Sequence, residues 1–117
     1  LEHLEALRTS TFNVVILSLV LTYVPTPEKR FQMIMNARKC LKATPGDGLL
    51  LIVEPHGFDK TKENIVAKTW QKTIETVGFR ALVNSKTGDG LHVLVFETTE
   101  WNNPSKIGKL SMALDKR

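Results

Sequence analysis

Two rhythms of apolar positions run along this chain. Residues 12–18 (FNVVILS) and 48–55 (GLLLIVEP) are continuous apolar runs rich in branched residues. Such runs predict strands covered on both faces, as in a parallel sheet. Between them Met33, Ile34, Ala37, Cys40 and Leu41 fall at i, i+1, i+4, i+7 and i+8, the stripe of an amphipathic helix. Thr26-Pro27-Glu28 marks its start: a capping hydroxyl, a proline in the first turn, a carboxylate at the positive end of the dipole. Its end is expected near Thr44, before Pro45. Pro45-Gly46-Asp47-Gly48 predicts a turn. Val66, Trp70 and Ile74 step by four through a second helix, expected over 61–77 and terminated by Gly78. Residues 79–85 (FRALVNS) and 91–98 (LHVLVFET) read as strands joined by a five-residue hairpin loop, 86–90. Leu1, Leu4 and Leu7 suggest a short helix before the first strand. From Glu100 the chain turns polar; residues 107–117 suggest a frayed or docking helix, and Trp101 a pin for the tail.

The order strand, helix, strand, helix, strand, strand predicts an α/β fold. Helical crossovers join parallel strands, and an antiparallel pair ends the sheet. Only about half the strands of a doubly wound domain are present. The expected division is a partial domain over 1–99 and a polar tail over 100–117.

Composition changes this picture little. The 117 residues are 42% hydrophobic and 24% charged, ordinary for a folded domain with its own core. A net charge of +4, from scattered basic residues, is compatible with an anionic partner without requiring one. One cysteine, Cys40, excludes an intrachain disulfide and a cysteine-based zinc site, and fits a reducing, intracellular compartment. Phe12 to Val24 contains Asn13, Ser18 and Thr22 and is too short for a spanning helix, so no membrane role is expected. The first residue is Leu1, which leads us to expect a processed chain or a fragment.

SLVLTYVPTPEKR (18–30), GLLLIVEP (48–55), KTWQKTIETVGFR (68–80) and LHVLVF (91–96) together resemble the second half of the class I S-adenosylmethionine-dependent methyltransferases. Within that superfamily they resemble most the group holding 25S ribosomal RNA adenine methyltransferases and an S-adenosylmethionine sensor upstream of the TOR kinase complex. The resemblance spans residues 10–99. It implies the C-terminal half of a Rossmann-like fold, with the last strand lying between its two predecessors. Two departures stand out. The family's glycine-rich loop and the acidic residue that holds the ribose have no counterpart here, since no G-x-G-x-x-G sits between a strand and a helix. The family's usual Asp at the start of the first strand is Asn13, a tolerable change.

Methyl transfer from a sulfonium asks the protein mainly to align the acceptor and exclude water, so no catalytic triad is expected. Ligands in open α/β sheets lie beyond the carboxyl ends of the strands. That places candidates at the end of each apolar run. The resemblance implies that Ser18 reaches the methionine part of S-adenosyl-L-methionine; equally, it could cap the following turn. Leu19 and Leu21 are candidates to pack beside the cofactor, or are plain core. Thr22, Tyr23 and Pro25 are candidates for the acceptor side, Tyr23 by stacking on a base or else by packing the helix entrance. Glu54 and His56 are candidates for acid–base work or acceptor binding, though loop histidines mostly face solvent. His3 and His92 share no metal-binding spacing with His56, and no metal is expected; His92, inside a strand, and Trp70 read as structural. Three readings stay open: a sensor of S-adenosyl-L-methionine that reports to a TOR-pathway regulatory protein complex, a methyltransferase acting on adenine in ribosomal RNA, or an inactive fragment. The resemblance implies a cytoplasmic protein, nucleolar if it modifies ribosomal RNA. The cofactor is expected to bind the full-length protein rather than this chain alone. The first strand's open edge invites self-association.

Overall fold

A computed structural model of the chain describes residues 11–55, 57, 59, 65–100, 112 and 114. The branched side chains of the two apolar runs suit a pleated surface. They form β1 (Val14–Ser18) and β2 (Leu49–Pro55), paired parallel with Val14 opposite Leu49 and Ser18 opposite Val53. The connecting helix, α1 (Pro27–Cys40), starts as its sequence predicts. Thr26 is extended and its Oγ1 accepts from the Lys29 amide at 3.2 Å. Every member of the stripe from Met33 to Leu41 is buried. The helix stops at Cys40, earlier than Thr44. Leu41 turns extended and bridges to Phe12, and the Lys42 amide donates to the Phe12 carbonyl at 2.9 Å. Sheet-like pairing here takes over from the helical ladder.

The second helix, α2 (Ile65–Gly78), buries Val66, Trp70 and Ile74. The Asp59 carboxylate accepts from the Ala67 amide at 2.8 Å, near the helix start; the expected residues 61–64 lie outside the described ones. Gly78 closes the helix with φ 125°, a left-handed-side value that side chains disfavour. β3 (Phe79–Lys86) follows at once and pairs antiparallel with β4 (Leu91–Thr98). Lys86 pairs with His92, so the hairpin loop is residues 87–90, one residue shorter than expected.

The sheet order is β1-β2-β4-β3. β2 and β3 both run antiparallel to β4. Both crossovers therefore progress in one direction across the sheet. With one handedness, they place both helices on one face. The core is correspondingly single: Leu17, Leu50, Ile52, Leu94 and Phe96 from the strands meet Ile34 and Ala37 from α1 and Trp70 and Ile74 from α2. The opposite face is open. Val14 is 45% and Ile16 59% exposed, and Leu82 and Val83 are exposed as well. The expectation that the first strand is covered on both faces is corrected here, because no helix of the described residues crosses back over that side.

Two features tie the layers together. From α1, Arg38 donates through Nε to the Gly78 carbonyl at 3.1 Å and through Nη2 to the Thr99 carbonyl at 2.7 Å, with its guanidinium 5.9 Å from the Phe79 ring centre. At the start of β2, Gly48 donates to Thr98 Oγ1 at 3.1 Å, and a Cβ there would lie 2.9 Å from the Thr98 methyl, so only glycine fits. No helix among the described residues is long and apolar enough to cross a membrane. The expected helices near each terminus, and Trp101, lie outside the described residues, although Met112 is buried and Leu114 packs on the core.

Candidate functional site

Parallel pairing brings the carboxyl ends of β1 and β2 to the same edge of the sheet, the edge at which ligands of such sheets bind. The chain leaves β1 abruptly. Leu19 has φ 57°, the only left-handed non-glycine among the described residues, and its amide donates to the Val53 carbonyl at 2.7 Å. That backbone costs a residue with a Cβ about 1–2 kcal/mol. A 3₁₀ turn follows over Leu21–Tyr23, closed by the Tyr23 amide on the Val20 carbonyl and the Val24 amide on the Leu21 carbonyl.

Helical turns leave amides unpaired at the start and carbonyls unpaired at the end. Here two buried charged side chains hold the turn. Glu54 Oε2 accepts from the Val20 amide at 3.2 Å and the Leu21 amide at 3.1 Å, and Oε1 accepts from Thr22 Oγ1 at 2.9 Å. Arg30, from α1, donates through Nε to the Leu21 carbonyl at 3.2 Å and the Val24 carbonyl at 3.1 Å, and through Nη1 to the Met112 carbonyl at 2.8 Å. Glu54 is fully buried and Arg30 is 5% exposed. Burial raises the Glu54 carboxyl above its usual range, and its hydrogen bonds from Thr22, Leu21 and Val20 partly offset this. Burial lowers the Arg30 guanidinium, partly offset by the charge of Glu28. On β4, opposite Glu54, lies buried His92, its Nε2 2.6 Å from Asn84 Oδ1.

The candidates fall into groups. Ser18 and Leu19 are exposed at the strand end, and Tyr23 is 83% exposed, so it packs against no helix entrance. Pro25, also exposed, follows the turn. The amides of Val20 and Leu21, which a capping Ser18 would serve, go to Glu54. Leu21 points into the core and Thr22 is half-buried on Glu54. Glu54 faces inward, its oxygens spent on the turn. His56 lies outside the described residues. Sequence reasoning passed over Arg30. Its signal was present: Arg30, Ile34 and Arg38 lie at i, i+4 and i+8, which sets both arginines within the apolar stripe.

A raised carboxyl has a defined consequence for stability. Between the usual carboxylate pKa and the raised one, the folded state binds more protons than the unfolded state, so stability falls as pH rises through that window. Glu54→Gln keeps an acceptor for the two amides and offers a donor to Thr22. At neutral pH the variant should match or exceed the parent in stability, and the difference should shrink as pH falls toward 4. Urea titrations at several pH values check this; a variant that is less stable only at neutral pH would show that the ionised carboxylate is favoured.

The comparisons with known proteins agree on one group. The family described as 25S rRNA (adenine(2142)-N(1))-methyltransferase, Bmt2, matches residues 2–115. A protein of Xenopus laevis named S-adenosylmethionine sensor upstream of mTORC1 is 31% identical over 104 residues, covering 89% of this chain and 25% of its own length. The protein of that name from Danio rerio is 29% identical over 93 residues, 80% of this chain and 23% of its own. The chain thus spans about a quarter of the length of these relatives. With the match running over nearly every residue, this chain belongs to the Bmt2 methyltransferase family.

Proposed function

We propose that this chain supplies one wall of an S-adenosyl-L-methionine site, in a protein that senses that molecule and reports to a TOR-pathway regulatory complex. In this reading residues 1–99 correspond to strands four to seven of a class I methyltransferase fold, and 100–117 are a tail. The observation that carries it is the likeness to the S-adenosylmethionine sensor over 89% of the chain. The geometry supports a binding wall. The turn after β1 presents Ser18, Leu19 and Tyr23 outward, while the Glu54 oxygens are engaged with the turn. A sulfonium donor needs such a wall for alignment and for exclusion of water.

One observation favours a second reading, methyl transfer to adenine in ribosomal RNA. Tyr23 stands 83% exposed beside the prolines, open to stack on a base. Calorimetric titration of S-adenosyl-L-methionine into the protein that carries this chain tests both. Saturable binding, with a TOR-pathway partner lost or gained as the ligand is added, is expected. Methyl incorporation into unmethylated ribosomal RNA would favour the second reading, and no binding would overturn both. The chain alone is expected to bind weakly, because the glycine-rich loop has no counterpart in its sequence. The free edge of β1, with the apolar face beside it, is assigned to self-association; a single-chain mass by light scattering at high concentration would count against it.

A further inference from the structure

The turn that carries Leu19 and Tyr23 is gripped from beneath. A carboxylate takes the amides of Val20 and Leu21, and a guanidinium takes the carbonyls of Leu21, within the turn, and of Val24, just after it. The two side chains reach the turn from different elements, Glu54 from β2 and Arg30 from α1. The grip has work to oppose, since Leu19 holds a left-handed backbone that persists only where its surroundings over-determine it. Arg30 also has a third acceptor, the Met112 carbonyl, 82 residues away in sequence. A planar guanidinium can serve three carbonyls at once; a lysine, a point donor on a flexible stem, reproduces this poorly.

We propose that Arg30 and Glu54 are positioning residues for the ligand wall, fixing the turn so that Leu19 and Tyr23 face outward, and that Arg30 makes this setting depend on the seating of Met112. The ligand part rests on the S-adenosyl-L-methionine reading above; the coupling between the turn and Met112 does not.

The test is amide nuclear magnetic resonance on the protein that carries this chain, with S-adenosyl-L-methionine titrated to millimolar concentration, comparing the parent with Arg30→Lys, Glu54→Gln and Glu54→Ala. Arg30→Lys should leave the core signals of Trp70 and Phe96 in place and move the amides of Leu21, Val24 and Met112 together. It should also weaken ligand binding about tenfold, the effect of losing one charge-assisted hydrogen bond. Glu54→Gln should restore the turn signals and the affinity that Glu54→Ala loses. A purely structural role would change the folded fraction and leave the affinity of the folded molecules untouched. Arg30→Lys spectra in which Met112 moves while the turn and the affinity stay put would overturn the proposal. If the ligand moves no turn signal in the parent protein, the ligand reading fails, and the spectra of the variants still decide whether Arg30 links the turn to Met112.

Discussion

Trp70→Ala should abolish cooperative folding of this chain near room temperature. Trp70 is fully buried and heads the largest buried side chains, between Val66 and Ile74 on the inward stripe of α2. Its removal forfeits the transfer energy of an indole and leaves a cavity that neighbouring strands cannot close, about 3–5 kcal/mol together. Domains of this size are stable by only about 5–15 kcal/mol. A sheet covered by helices on one face has less core than most, which places this chain toward the lower end. Urea titration followed by circular dichroism is the check. A sharp transition whose midpoint falls by less than about 1 M would contradict the prediction.

Arg38→Met should destabilise the chain by about 1–3 kcal/mol, although methionine keeps the length and apolar stem of the side chain. The cost comes from what is left behind. The Thr99 carbonyl loses its donor at 2.7 Å, and a buried acceptor without a partner costs about 1–3 kcal/mol; the Gly78 carbonyl loses one of two donors, at 3.1 Å. Both lie where α2 gives way to β3 and β4 ends, and the Thr99 amide bonds to the Gly78 carbonyl there. Local opening should therefore begin at that junction and appear as faster hydrogen exchange at Thr99 and Phe79. The neighbouring Lys39 is exposed, and Lys39→Met should stay within about 0.5 kcal/mol. Equal effects at 38 and 39 would refute the assignment.

The fold was largely legible because its signals are local. A branched run makes β2, Thr26-Pro27 starts α1, and the i+4 steps around Trp70 set the inward side of α2. Two things were not legible. The open face of β1 depends on the direction of the crossovers, and FNVVILS reads the same whether one or two layers cover it. The roles of Arg30, Arg38 and Glu54 depend on which carbonyls and amides the tertiary fold leaves unpaired. A residue's type states how many hydrogen bonds it can make and not where the needy partners are. Tyr23 shows the same limit from the other side: its type allowed packing or presentation, and only the turn's geometry separates them.

The position of β4 has a consequence for biosynthesis. The last strand among the described residues is third in the sheet, wedged between β2 and β3. As the polypeptide emerges from the ribosome, β2 and β3 are finished first, yet they are spaced two strand widths apart, about 10 Å, and cannot bond to each other. The sheet can zip up only after Thr98 is released. Until then the nascent chain presents two unsatisfied edges, the condition that recruits chaperones or leads to aggregation. A premature stop before Leu91 should therefore yield an unfolded, rapidly degraded product in place of a smaller stable domain.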